Sequence, residues 1–271
     1  MTLPALRGPE TVPLALVADS PYFAGHFPGH PILPGIAHLA LVERALGTLL
    51  EVPVRIAAVP SLRLRRPLRP GDALALRLAP ADGGAVRFEI ACGAGRASQG
   101  TIGLAIDPGT LPEGTGAPAA GCAAHGASAG SADVATLLPH AFPARLIVAL
   151  GEHRPEQLAA RARIPAESPF AEGGVAPALV ALELAAQAAA ALEAIERAAR
   201  GEGGGARRGY LVGARDAQWA PNVLPVGVPL DVRVTLEARA LPLSHYRFEV
   251  DLAGTVVAAG TIATFLGDGN R

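Results

Sequence analysis

Residues 26–38 hold three of the chain's seven histidines, and the segment 23–36, FAGHFPGHPILPGI, sets three prolines and three glycines around the first of them. Histidine can accept or give a proton near neutral pH, so a histidine fixed in a stiffened loop is a candidate general base. A helix is predicted to begin just after it, at Gly35. The first turn of a helix has N–H groups without intrahelical partners and a partial positive charge, which suits an oxygen gaining negative charge during a reaction. His26 and the Gly35 N–H are close enough in sequence to act on one ligand. His30 and His38 complete a trio that raises a metal site, but neither a carboxylate nor a cysteine accompanies them, and no metal or cofactor is expected.

A second residue with chemistry in it is Glu183, which interrupts the apolar run 178–191 together with Gln187. Burying an unpaired carboxylate is costly and favours the neutral acid, so a glutamate in such surroundings is a candidate acid. Gln187 lies at i+4 on the same helix face, placed to hold the carboxylate by a hydrogen bond or to satisfy a nearby backbone group. Arg63, Arg65, Arg66 and Arg69 form the one dense basic cluster, either a docking patch for an acidic carrier protein or a solvated strand face. His140, His153 and His245 show no partner in the sequence and stay unassigned.

The elements that must position these residues come in two sets. Asp19-Ser-Pro-Tyr22 is echoed by Glu167-Ser-Pro-Phe170, Pro34 before an alanine-rich helical run by Pro177 before another, residues 66–71 by 222–227, and Gly100-Thr-Ile102 by Gly260-Thr-Ile262. Four echoes in one order indicate a duplication. Each copy reads as a long helix, near 35–50 and 177–200, followed by strands with period-2 alternation at 62–65, 73–77, 86–90, 231–236 and 246–250. That pattern describes α+β units, each an antiparallel sheet with one face covered by a helix. Two such units can join edge to edge into one sheet. Between them runs a segment of Gly, Ala, Pro and Ser with little to pack, giving a first domain at 1–107, a linker at 108–133 and a second domain at 134–271.

The segment 25–35 resembles the Gly-His-Phe-Pro-Gly-x-Pro-x-x-Pro-Gly signature of the FabA/FabZ-type β-hydroxyacyl carrier-protein dehydratases, which have the hotdog fold and need no metal. In that family the histidine works with an Asp or Glu six residues after the second proline of the signature, on the central helix of the partner subunit. Six residues after Pro34 stands Ala40; six after Pro177 stands Glu183, within a stretch that resembles the family's Glu-x-x-Ala-Gln. Glu43, a turn beyond Ala40, is rotated away by roughly 60° and is a poor substitute. The opening 137–143, LLPHAFP, is similar to the start of these dehydratases, while the second copy lacks the loop that would hold a histidine. The copies thus lack complementary halves of one site. This resembles the double hotdog of polyketide synthase dehydratase domains and the two dehydratase-like subunits of aryl-polyene-type pathways.

The resemblance implies dehydration of a 3-hydroxyacyl thioester on an acyl carrier protein to the trans-2-enoyl thioester, at a composite site with His26 as base, Glu183 as acid and Gly35 at the thioester oxygen. A hotdog acyl thioesterase and a non-catalytic acyl-binding or scaffolding subunit are the alternatives. Composition is compatible with all three: a net charge of −1, with every basic residue an arginine, argues against nucleic-acid binding. Cys92 and Cys122 fit neither a disulfide framework nor a metal site. The N-terminus lacks the pattern of a secretory signal, and the run 178–191 is short of the roughly 20 apolar residues of a membrane span, so a cytoplasmic chain without a span is expected. Pairing within the chain makes a pseudo-dimer and leaves a homo-oligomer open.

Overall fold

The computed structural model describes residues 6–106, 134–203 and 206–267. The predicted linker and Cys122 lie outside the described residues. The first half contains β1 (Glu10–Leu14), α1 (Gly35–Leu50), β2 (Val54–Leu64), β3 (Leu74–Pro80), β4 (Val86–Cys92) and β5 (Gly95–Ile106). The second contains α2 (Val134–Leu137), β6 (Ile147–Arg154), β7 (Gln157–Arg163), β8 (Val175–Pro177), α3 (Ala181–Ala199), β9 (Gly209–Trp219), β10 (Val223–Pro225), β11 (Pro229–Ala240), β12 (Leu243–Leu252) and β13 (Thr255–Leu266).

Eleven strands form one antiparallel sheet in the order β1-β3-β4-β5-β2-β9-β13-β12-β11-β7-β6, wrapped around α1 on one side of its middle and α3 on the other. Read outward from the β2–β9 seam, the two halves repeat: β5 matches β13, β4 matches β12 and β3 matches β11. The duplication also survives in detail, since β5 and β13 are both 12 residues long with the same sequence of buried and exposed positions. The echoed glycines have one reason. A Cβ on Gly100 would run into the Ser61 carbonyl oxygen, and one on Gly260 would lie 2.6 Å from Ala217 Cα, so each strand crosses its neighbour where no side chain fits. The echoed aromatics Tyr22 and Phe170 meet each other, with ring centroids 5.1 Å apart.

Alternation drives the strands. Along β11 and β12, Leu230, Val232, Val234, Phe248 and Val250 turn inward and are fully buried. Each such side chain contributes about 1.5–3 kcal/mol relative to exposure. Outward, Arg233 pairs with Glu249 at 3.1 Å, an exposed pair worth about 0.2–1 kcal/mol. At the seam, Leu62 stands opposite Ala214 and Arg63 opposite Gly213, and the Trp219 indole N–H donates to the Ile56 carbonyl at 2.7 Å across the halves.

Two helical details differ from the sequence expectation. Pro177 ends β8, and residues 178–180 make one 3-10 turn before α3 begins, so that proline precedes the helix instead of entering its first turn. The helical stretch Ala178–Ala199 runs 22 residues, long and apolar enough to cross a membrane by length and composition, where a shorter run was expected. Yet 83% of its most apolar window is buried inside the protein, where the sheet wraps it as a core helix.

Candidate active site

The loop before α1 is folded by its own backbone. His26 N–H donates to the Phe23 carbonyl at 3.1 Å, His30 N–H to Phe27 at 2.9 Å, and Ile32 N–H to the His26 carbonyl at 3.0 Å. Gly25 and Gly29 both take φ of +76°, the left-handed region that glycine adopts without steric penalty. This turn buries His26 and aims its Nδ1 at the Ile32 carbonyl, 2.9 Å away. A carbonyl only accepts, so Nδ1 carries the hydrogen and Nε2 keeps its lone pair.

Glu183 comes from α3, in the other half of the chain, and is as buried as His26. Gln187 donates to its Oε1 at 2.9 Å, donates also to the Ala144 carbonyl at 2.7 Å, and accepts from the Leu146 N–H at 2.8 Å. Both sequence readings of Gln187 are realised at once: it holds the carboxylate and satisfies the backbone ahead of β6. The structure adds His140, whose Nε2 lies 3.4 Å from Glu183 Oε1 and whose ring centroid is 5.1 Å from that of His26. Phe27 packs against both imidazoles.

Electrostatics divides the roles. Burial pushes the His26 imidazole down to about 4, against the opposing pull of Glu183 and with help from His140. At neutral pH it is uncharged and able to accept a proton. Burial alone would raise the Glu183 carboxyl, but the contact with His140, the charges of His140 and His26 and the Gln187 hydrogen bond outweigh it and hold the carboxyl at about 2. Glu183 is therefore a carboxylate in the resting site. Donor atoms of His26, His140 and Glu183 spread over up to 4.8 Å.

These side chains line a cavity of about 320 Å³, within the ~300–1,000 Å³ range of small-molecule pockets. Gly35 lies on its wall at the first residue of α1, where a Cβ would come within 2.7 Å of Leu64 Cδ1. From Glu183 the cavity follows α3 along Ala186, Ala189 and Ala190. Short side chains on that face leave the space open.

The remaining candidates separate. Arg65 and Arg66 are exposed and border the cavity, joined there by Arg207; Arg63 and Arg69 are exposed and do not border it. Glu43 is occupied elsewhere, accepting from Arg55 at 2.9 Å and from the Ile56 N–H at 2.7 Å. His38 is buried on the cavity wall with Nδ1 3.0 Å from Ser98 Oγ, and burial pushes it down to about 4. His30 and His153 are exposed, and His245 lies 3.5 Å from an Arg215 guanidinium nitrogen. Cys92 is a buried free thiol. His140 is a site residue left unassigned in the sequence, although the motif LLPH around it was visible.

Both halves of the chain match known families. Residues 10–101 match the family model for ApeI dehydratase, and residues 132–270, more than half of the chain, match that for ApeP dehydratase. Among curated relatives, the 3-hydroxyacyl carrier-protein dehydratase FabZ of Thermus thermophilus is 42% identical over 66 residues, 21% of this chain and 46% of that protein. FabZ of Thermomicrobium roseum is 37% identical over 90 residues, 31% of this chain and 58% of that one. The chain spans about half the length of the curated relatives it matches. Among solved structures, the dehydratase domain of PpsC from Mycobacterium tuberculosis superposes with a TM-score of 0.63 at 16% identity, covering 96% of this chain and 95% of that one. The dehydratase domain of RzxB from Pseudomonas fluorescens gives 0.61 at 19% identity, covering 96% and 94%. At such identities the likeness speaks for the fold, a double hotdog. With its second half matching that model over more than half of the sequence and its first half matching the ApeI model, the chain belongs to the ApeP dehydratase family, in a tandem form that joins an ApeI-like half to an ApeP-like one.

Proposed function

We propose that the chain dehydrates a 3-hydroxyacyl thioester carried on an acyl carrier protein, giving the trans-2-enoyl thioester and water, in fatty acid, aryl polyene or polyketide-like biosynthesis in the cytoplasm. The observation that carries this reading is the convergence, in one buried cavity, of a neutral His26 from the first half and the Glu183 carboxylate from the second. In this reaction His26 Nε2 removes the proton α to the thioester. The Gly35 N–H at the start of α1 receives the thioester oxygen as negative charge develops on it. Glu183 holds the 3-hydroxyl and is the group through which a proton reaches the departing oxygen, while its charge stabilises the imidazolium formed on His26. Arg65 and Arg66 at the cavity rim meet the phosphate of the pantetheine arm and the acidic carrier, with Arg63 and Arg69 extending the basic surface.

The test is turnover of a 3-hydroxyacyl carrier-protein substrate by the full chain and by His26→Ala and Glu183→Gln. Each variant is expected to lose about 10²–10⁴ in kcat. Full activity in either one removes that residue from the mechanism. Release of free acid without an enoyl product would make the protein a thioesterase, and no turnover by the unaltered chain would favour a binding or scaffolding subunit.

A further inference from the structure

His140 is at the centre of the site without a part in the chemistry above. Its side chain is buried, Nε2 contacts Glu183, and Nδ1 has no hydrogen-bond partner among the described residues. A histidine that merely props a fold has both nitrogens satisfied, because a buried polar atom left alone costs about 1–3 kcal/mol. This one faces Glu183 from α3 and His26 from the loop before α1, with the Phe27 ring packed on it.

From this geometry we infer that His140 stores the proton that Glu183 passes to the departing hydroxyl, and that His26 reloads it after each turnover. The inference rests on the dehydratase reading. His140 acts through Glu183 and is therefore a positioning residue, one that also holds a proton. In the cycle, the α C–H bond breaks, its proton goes to His26 Nε2 and its electron pair forms the new C=C bond. The C3–O bond breaks with its electrons going to oxygen. His140 Nε2 gives its proton to the Glu183 carboxylate, which passes it to that oxygen, and water leaves with Glu183 again ionised. The proton on His26 then crosses the carboxylate to His140, so the enzyme returns to its starting state and the net change is loss of water alone.

Charge balance supports the scheme. In the scheme, one carboxylate and one positive charge, carried first by His140 and then by His26, are present at every stage. No step leaves an uncompensated charge in the cavity, which would be strongly unfavourable there. The carboxylate state of Glu183 has the same consequence, since an ionised group has no proton of its own to give and its donor must lie in reach.

Two variants test this. His140→Gln keeps an N–H able to bond Glu183 but carries no transferable proton; kcat is expected to fall at least a hundredfold, with KM changed less than about threefold and the alkaline limb of the kcat–pH profile gone. His140→Ala is expected to regain at least tenfold activity on addition of imidazole, in proportion to its protonated fraction, because a structural role would be indifferent to that fraction. If His140→Gln retains kcat within about threefold of the unaltered chain, or if folded His140→Ala is not rescued, the inference is wrong. Should both variants unfold, nitrogen-15 spectra of the histidines in the unaltered protein decide: a His140 that carries no Nε2 proton in the resting enzyme overturns the proposal. Absence of dehydration by the unaltered chain would instead sink the reaction itself.

Discussion

The Ala141 N–H donates to the Gly25 carbonyl at 3.0 Å, tying the residue after His140 to the residue before His26 across the two halves of the chain. The loops are as close as glycine allows, since a Cβ on Gly25 would overlap the Ala141 carbonyl oxygen and Gly25 itself has φ of +76°. Gly25→Ala forces the loops apart and strains the turn by about 1–2 kcal/mol. A displacement near 1 Å in a catalytic group lowers rates by about 10²-fold. We expect kcat to drop by that order with a fall of a few degrees in the melting temperature; retention of full activity would show that the two loops need not touch.

The charge states give a pH dependence with a definite sign. His26 is pushed down to about 4 from an unfolded value of 6.5, so the unfolded chain binds the extra proton between those values and its contribution to stability is lost as pH falls through that window. Glu183 is held at about 2 against 4.5, so its contribution is present above 4.5 and lost as pH falls toward 2. Both act in the same direction: stability declines on acidification below about 6.5. His26→Gln should flatten the slope of unfolding free energy against pH between about 4 and 6.5 in urea titrations, while an unchanged slope would place the His26 shift elsewhere.

Much of this was legible in the sequence because it depends on local chemistry. The period-2 strands and the four ordered echoes reflect rules that act over a few residues, and they yield two helix-and-sheet units joined edge to edge at β2 and β9. Complementary loss of the carboxylate at Ala40 and of the histidine loop in the second copy is a statement about residue types at fixed spacings, so it too could be read directly. The place of His140 could not. Its partners, Glu183 and His26, are distant in sequence, and the Ala141–Gly25 bond and the Gln187 contacts to Ala144 and Leu146 tie its loop over the site. The split of the arginine cluster was equally hidden, because Arg65 and Arg66 follow the end of β2 with their N–H groups on the Ala97 carbonyl, a contact distant in sequence.

Of the basic residues, Arg65 and Arg66 border the cavity and Arg69 does not. If the first two meet the carrier, Arg65→Glu with Arg66→Glu should raise KM for a carrier-protein substrate at least tenfold and leave KM for a short pantetheine thioester nearly unchanged. Arg69→Glu should do less. The effect should shrink as salt is raised, since exposed charges are screened over about 8–10 Å at physiological ionic strength. Equal losses on both substrates would mean the arginines support the cavity and not the docking.

Because His26 and Glu183 come from opposite sides of the β2–β9 seam, neither half alone would hold the proposed site. Expressing residues 1–107 and 134–271 as separate chains should give no dehydration from either and should restore it on mixing, with activity rising with the concentration of the second chain. Turnover by the first half alone would show that His26 works without Glu183.

Gln187 fastens the carboxylate and the backbone that leads from His140 into β6. Replacing it with Leu leaves the Leu146 N–H and the Ala144 carbonyl without their side-chain partner and removes the donor to Glu183. Buried groups orphaned in this way cost about 2–4 kcal/mol together, and a chain of this size loses roughly 2–4 °C of melting temperature per kcal/mol. Activity should fall further than stability explains, because the loop carrying His140 is released at the same time and the carboxylate loses a hydrogen bond that favours its charged form. Calorimetry and kcat measured on the same preparation separate the two effects. A variant that melts early and yet turns over normally below its melting temperature would confine Gln187 to holding the fold.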